Sequence, residues 1–370
     1  MSSLYGATVS DTDLAWILPD MSSGILWGCG ALIFLGGVFM SASGAGGGAV
    51  FVTVFTSLGG LSAHQAIPLS KFTILLGSLV VFLLNTVFKG KTNFIDFQLV
   101  RSIVPMCLAG TLVGVLVNTV TSDRVLMILL TVILILILLK TSKMAYDKRI
   151  STSTGPTSGT SSTILSQQDD DPLLPNRISS KKKNLIMASL IPVVVICGVF
   201  TKVSYVSTAG IVLLYIIPIC ACVAVSIWFA KTSANPSVFD ESILAIVGFI
   251  SGFISGLVGI GGGLLIAPFL LHKGVEPTVA VVVSSTVVLF ASLSTALQYV
   301  FLDRVAIVVG LVLSIFSIAA GIVAVGMIRF IAKKNERQFF VYVLVVIASA
   351  TSTVLAIIKA VQSYLFFVCS

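Results

Sequence analysis

The sequence predicts an all-helical fold: a polytopic transmembrane bundle built from two inverted repeats. Three observations carry that reading. Of 370 residues, 57% are hydrophobic before the 31 glycines are counted, and only 10% are charged. The apolar residues also fall in runs of about 20, the length that crosses a ~30 Å hydrocarbon core as helix. And one glycine pattern occurs twice. A soluble domain holds about 45–50% apolar residues with Gly included and about 25% charged. This chain lacks the polar surface to coat a water-soluble fold, and is too apolar for disorder.

Residues 1–23 form a polar tail with Asp11, Asp13 and Asp20 and no Lys or Arg. Apolar segments then predict helices at 24–43, 49–58, 65–88, 97–120 and 123–144, the first repeat (24–144). A hydrophilic loop, 145–184, follows and is expected to be disordered; its Ser/Thr/Gly-rich part, 151–166, has too little apolar content to fold. Connecting transmembrane helices are expected within 185–230, at 185–201 and 206–230. The second repeat, 243–358, has segments at 243–258, 264–272, 278–301, 305–328 and 339–358. Segments 49–58 and 264–272 are too short to span alone, and each follows a glycine cluster.

Gly44, Gly46, Gly47 and Gly48 recur as Gly259, Gly261, Gly262 and Gly263, a shift of 215 residues that also carries Gly59 onto Gly274 and Ser70 onto Ser285. Each copy reads as an apolar helix, a glycine break, a short apolar segment, a small loop and a long helix opening with hydroxyl residues. Charge gives the orientation. The loop 145–184 is flanked by Lys140, Lys143, Lys148 and Arg149 and by Arg177, Lys181, Lys182 and Lys183, so the positive-inside rule makes it cytoplasmic. Lys89 and Lys91, Lys231, and then Arg329, Lys333, Lys334 and Arg337 fall on the same side only if each glycine-broken pair goes in and returns, or crosses twice. Either path gives the two copies opposite orientations.

Inverted repeats with interrupted helices mark secondary transporters, whose sites lie near the midplane where the repeats meet. A glycine run ends one helix and leaves the next with unpaired N–H groups carrying partial positive charge, which suits an anion. The competing reading is close helix packing, since Gly44/Gly48, Gly252/Gly256 and Gly259/Gly263 all fit small-xxx-small spacing. Two inverted copies favour a site at Gly46, Gly47, Gly48, Gly261, Gly262 and Gly263. Lys71, after Ser70, is a cation well inside a long apolar run and a candidate counter-charge; snorkelling to the headgroups is its alternative. Along 278–301, Ser284, Ala291, Ser294 and Gln298 share one helical face, and Ser285, Ser292, Thr295 and Tyr299 the next; Lys71, Ser78 and Asn85 align similarly in the first copy. These hydroxyls and amides are candidate pore lining, against interhelical hydrogen bonding.

Every Asp and Glu lies at a segment end or in a loop, so coupling through a buried carboxylate and intramembrane aspartyl proteolysis are not expected. No enzyme activity, cofactor or metal is expected. Six Cys lie almost wholly in apolar segments, and Cys220 with Cys222 has no nearby His, Asp or further Cys, which points to packing thiols. The net charge of +8 sits at segment ends, which argues for bilayer orientation and against nucleic acid. No signal peptide and no glycosylation sequon is read, since Pro236 follows Asn235. In the loop, Asp169 stands four residues before Leu173 and Leu174, a spacing that resembles the acidic dileucine signals read by adaptor complexes at endosomes, lysosomes or vacuoles.

At these residues the chain resembles the TauE/SafE family of sulfite exporter TauE-like permeases. The likeness runs over about 24–144 and 243–358 and is closest in the second copy, through Gly259 to Gly263, Pro268, Gly274, Pro277, Ser284, Ser285 and Thr286 to Gln298 and Tyr299. The first copy has Thr53 where the family carries Pro. Ser70, Lys71, Asn85 and the long loop resemble the eukaryotic branch. The resemblance implies export or exchange of small sulfur-containing anions such as sulfite or organosulfonates, in the plasma membrane or an endolysosomal or vacuolar membrane. A small-anion transporter is thus expected, with a passive anion channel and a non-transporting receptor working through its loop as alternatives.

Overall fold

The computed structural model describes residues 23–87, 96–153, 208–232 and 241–332, with 343, 346–347 and 349–358 near the C-terminus. The described residues form helices and short connections. In chain order these are α1 (Ser23–Ala42), α2 (Gly48–Ser57), α3 (Ala63–Val87), α4 (Phe97–Val120), α5 (Asp123–Ser153), α6 (Thr208–Thr232), α7 (Glu241–Val258), α8 (Gly263–His272), α9 (Pro277–Phe301) and α10 (Ile307–Ala332). A shorter apolar helix, α11, covers Ser349–Ile358. Seven of the described helices, α1, α3, α4, α5, α7, α9 and α10, are long and apolar enough to cross a membrane.

The boundaries follow local chemistry. Asp96 caps α4 by accepting from the Gln98 and Leu99 N–H groups, and Pro277 sits in the first turn of α9, where a missing N–H costs nothing. Gly44, Gly46, Gly47 and Gly259 break their helices with φ of 77, 78, 85 and 83°, values that side chains rarely tolerate. One expectation is corrected. Residues 145–153 are the last turns of α5, not part of an unstructured loop. Met144 to Ile150 holds good helix formers with no Gly or Pro, so the helix runs on past its apolar stretch.

The glycine-broken pairs go in and come back. Gly36 lies against Val50 and Gly28 against Leu58, so α2 runs back along α1. In the second copy the Ser251 hydroxyl donates to the Gly262 carbonyl at 2.7 Å, folding the start of α8 onto α7 in the same way. Nine of the ten residues of α2 and seven of the ten of α8 are buried. Such half-helices are tolerated at membrane depth only when protein covers them.

Helix directions establish the inversion. Gly248, Gly252 and Gly256 on α7 meet the carbonyls of Ile103, Cys107 and Thr111 in that order, so α7 runs parallel to α4. Gly310 meets Phe72, Gly77 meets Ser317 and Gly321 meets Val81, so α10 runs parallel to α3; Gly30 on Phe316 and Gly37 on Ala320 align α1 with α10. The His64 N–H, at the start of α3, donates to the Asp123 carboxylate just beyond the end of α4, while the other ends of α3 and α4 are joined through 88–95. Those two helices are therefore antiparallel. It follows that α1 and α7, equivalent by the 215-residue shift, run in opposite directions. Each also packs on the far half, α1 on α10 and α7 on α4, so the halves interlock.

Candidate functional site

The two glycine breaks meet at the centre of the bundle, main chain on main chain. A Cβ on Gly48 would lie 2.5 Å from the Gly259 carbonyl oxygen and 3.0 Å from the Ile260 carbonyl carbon; one on Gly261 would lie 2.6 Å from the Ala45 carbonyl oxygen. A Cβ on Gly263 would strike the Gly44 carbonyl oxygen. The Gly48–Gly259 and Gly263–Gly44 contacts exchange under the 215-residue shift, which is the signature of a twofold-like axis passing between the breaks. Only glycine permits this approach. Gly47, left-handed, precedes the first residue of α2, and Gly262 precedes that of α8. Two partly positive helix ends converge here; in α8 the Leu264 and Leu265 N–H groups donate to the Gly261 and Gly262 carbonyls at 3.0 and 3.2 Å, whereas in α2 the first such bond is from Phe51 to Gly47.

Beside the first break lies a cavity of about 10 Å³, room for roughly one water. Its walls are Ser41 at the end of α1, Gly46, four residues of α3 (Ile74, Gly77, Ser78, Val81), Ser285 and Val288 of α9, and Ser317 of α10. Gly46 and Ser285 are site residues that the sequence predicts, and Ser78 shares the predicted stripe with Lys71. Ser41 and Ser317 carry no sequence signal, because nothing local links them to the break they face.

Lys71 lies elsewhere. Fully buried, it reaches from α3 into the other half, where its ammonium donates to the Ser255 hydroxyl at 2.6 Å and the Ile260 carbonyl at 3.1 Å. These acceptors belong to the last turn of α7 and to the second break. Two neighbours complete the cap: Asn118 Nδ2 donates to the Leu257 carbonyl at 2.7 Å and Tyr299 Oη to the Gly256 carbonyl at 3.0 Å. A helix end inside a membrane protein leaves its last carbonyls unpaired; here Asn118 and Tyr299 satisfy two of them, and Lys71 binds the adjoining Ser255 hydroxyl and the Ile260 carbonyl of the break.

The remaining candidates are placed as follows. Ser284 packs against Gly44 and donates to Val281; Ser70 donates to Ile67. Gln298 donates to the Ser294 carbonyl and hydroxyl, both at 3.1 Å, and its Oε1 is buried without a partner, as is Asn118 Oδ1. Asn85 is half-buried, four residues beyond the last cavity residue of α3. Gly252 and Gly256 sit in the α4–α7 seam. Asp169, Leu173, Leu174 and segment 185–201 fall outside the described residues. No group of three or more His, Cys, Asp or Glu positioned for a metal occurs among the described residues.

Interlocked inverted halves, each contributing a re-entrant broken helix to a shared centre, define the class: a multi-pass integral membrane protein with the architecture used by secondary transporters. The family described as Sulfite exporter TauE/SafE matches residues 29–201 and 176–351, and the chain belongs to that family of membrane transporters. Among its relatives are two proteins of Arabidopsis thaliana. Sulfite exporter TauE/SafE family protein 5 is 26% identical over 322 residues, covering 76% of this chain and 71% of the relative. Family protein 1 is 25% identical over 372 residues, covering 88% and 81%. A 66-residue stretch is 38% identical to the probable membrane transporter protein YunE of Bacillus subtilis, covering 16% of this chain and 24% of that protein. No solved structure matches the chain.

Proposed function

We propose that the protein moves small anions, sulfur-containing oxyanions of the sulfite or organosulfonate kind, by alternating access around the paired glycine breaks. The observation that carries this is the convergence of two half-helix N-termini, at Gly46 to Gly48 and Gly261 to Gly263, in main-chain contact and flanked by the Val288 side chain. Such ends bind anions through main-chain N–H groups, each contributing roughly 0.3–2 kcal/mol. Sulfite is what the relatives' names specify; the twofold-like arrangement supports a carrier, since an inverted pair of halves can exchange roles. Ser70 and Ser285 are equivalent by the repeat, and each would line the site in one of the two states. Lys71 sits close enough to the second break to add charge there when its bonds to Ser255 and Ile260 open. The water-sized constriction favours a carrier over an open channel.

Solid-supported-membrane currents on the reconstituted full chain test this directly, with sulfite, sulfate, thiosulfate, taurine and chloride as substrates. Oxyanion-dependent transient currents are expected, lost in Ser285→Leu and Gly262→Leu. Currents absent for all five, or unchanged in both folded variants, refute the reading. The proposal includes an orientation, with the loop after α5 in the cytoplasm, and sorting to an endolysosomal or vacuolar membrane by an adaptor complex that reads Asp169, Leu173 and Leu174. Leu173→Ala with Leu174→Ala would then shift the protein to the plasma membrane with its currents intact.

A further inference from the structure

The two halves match in backbone but differ in what occupies the negative end of each first half-helix. At the end of α7, that occupant is a cation: the Lys71 ammonium, held by a hydroxyl and a carbonyl oxygen. The shift of 215 residues carries Lys71 onto Thr286, which is neutral and donates its hydroxyl hydrogen to Val282. The last carbonyls of α1 are taken locally, those of Phe39, Met40 and Ser41 by the N–H groups of Ser43, Ala45 and Gly44. Beside that turn, against Ser41 and Gly46, lies the water-sized cavity.

The cavity's chemistry matches what Lys71 finds in the other half. Ser285 donates its hydrogen to the Val281 carbonyl at 2.8 Å, which leaves lone pairs for the space; Ser78 bonds the Leu75 carbonyl at 3.1 Å and lies 3.4 Å from the Ser292 hydroxyl. Ser317 is 6% exposed, lines the cavity and has no hydrogen-bond partner among the described residues. Ser41 adds a hydroxyl from the last turn of α1, where the helix carries partial negative charge. The walls hold no ammonium, guanidinium or carboxylate. A divalent ion prefers carboxylate oxygens. Neutral oxygens around a space of one water suit a small monovalent cation, and half-helix C-terminal ends hold sodium in other inverted-repeat carriers.

We infer that the cavity formed by Ser41, Ser78, Ser285 and Ser317 is a binding site for a sodium ion, the free counterpart of the Lys71 ammonium in the other half. As the coupling site of a carrier it rests on the transport reading; as a binding site it does not. The ion lies beside the α1 end, held by serine oxygens, as the Lys71 ammonium lies beside the α7 end.

Thermal unfolding of the purified full chain tests this without any oxyanion, in chloride salts of constant total concentration. A ligand that binds the folded state raises Tm with its own saturation curve. Sodium in place of choline is expected to raise Tm saturably, and potassium much less. Ser317→Ala and Ser285→Ala should raise the half-saturating sodium concentration about tenfold, the loss of one oxygen ligand to a charge. Ser314→Ala, one turn from Ser317 and bonded to Gly310, should leave it unchanged. Thr286→Lys should abolish the sodium response while holding Tm near the sodium-saturated value. No sodium-specific rise in the wild type, or a rise that both cavity variants leave in place, overturns the inference. A sodium-dependent Tm with no oxyanion current refutes only the transport reading; oxyanion currents with no sodium effect on Tm refute only the cation site.

Discussion

Adding one methyl group at Gly48 or Gly263 separates a designed meeting of two breaks from ordinary helix packing. A Cβ on Gly48 would lie 2.5 Å from the Gly259 carbonyl oxygen and closer still to the Gly261 nitrogen; one on Gly263 would strike the Gly44 carbonyl oxygen. Main chain cannot rotate away as a side chain does, so the breaks must separate. Overpacking of this kind costs typically about 1–3 kcal/mol, from which the ~0.5–1 kcal/mol that Ala gains over Gly within a helix is subtracted. The net cost is about 0–2.5 kcal/mol, and at roughly 2–4 °C per kcal/mol Tm falls by up to about 10 °C. Gly326→Ala on α10 is the control: nothing lies within 4 Å of its Cβ, so it keeps the propensity gain alone and Tm holds or rises. The assay is thermal loss of the monodisperse peak of the full chain in detergent. Because the two contacts exchange under the repeat, Gly48→Ala and Gly263→Ala should fall together. A Tm for either that matches Gly326→Ala would refute the close approach of the breaks.

Opposite orientation of the halves is read by cysteine labelling. With the native cysteines replaced, Ser62→Cys in the loop after α2 and Lys273→Cys in the loop after α8 should react with a membrane-impermeant maleimide from opposite faces; reaction from one face for both would refute the inversion. The α4–α7 seam predicts that Gly252→Ala, whose Cβ would strike the Cys107 carbonyl oxygen, costs about 1–3 kcal/mol, seen as a lowered Tm; an unchanged Tm would show that the seam is loose. Lys71→Met removes a buried charge whose hydrogen-bond partners are a hydroxyl and a carbonyl, not a carboxylate. The donor lost to Ile260 costs about 1 kcal/mol, and relief of the buried charge offsets it. Tm should therefore change little while oxyanion currents fall at least tenfold; a collapse of Tm with normal residual turnover would reverse the assignment.

The glycine repeat was legible because it is a local pattern with a fixed shift, and the shift alone places α8 opposite α2 to the residue: Gly48–Ser57 moved by 215 gives Gly263–His272. The direction of the broken pairs was not legible. Charge on the flanks left a return and a double crossing open, and only contacts such as Gly36 on Val50 separate them. Lys71 was visible as a buried cation, but its acceptors lie 184 and 189 residues away, and no periodicity within α3 points to them. Ser41 and Ser317 were invisible for the same reason, as one serine among many in an apolar helix. The end of α5 was misjudged because hydropathy marks where a helix leaves the bilayer, not where it stops.

The difference between the two half-helix ends sets the energy scale on which such a carrier must work. On a perfectly twofold scaffold, two states related by exchanging the halves would be equally populated, and a ligand with equal affinity for both would shift nothing. Here the α7 end is closed by four hydrogen bonds from the side chains of Lys71, Asn118 and Tyr299, whereas the α1 end is closed by its own following N–H groups, with the serine-lined cavity beside it. At about 0.5–1.5 kcal/mol net apiece, those bonds favour the observed state by roughly 2–6 kcal/mol. Moving a two-state equilibrium from 1:99 to 99:1 takes about 5.5 kcal/mol of differential affinity. On the proposed transport reading, that closure would hold one state without ligand and yield to an anion that draws Lys71 away. A closure several times stronger would lock the protein, and one much weaker would let it leak.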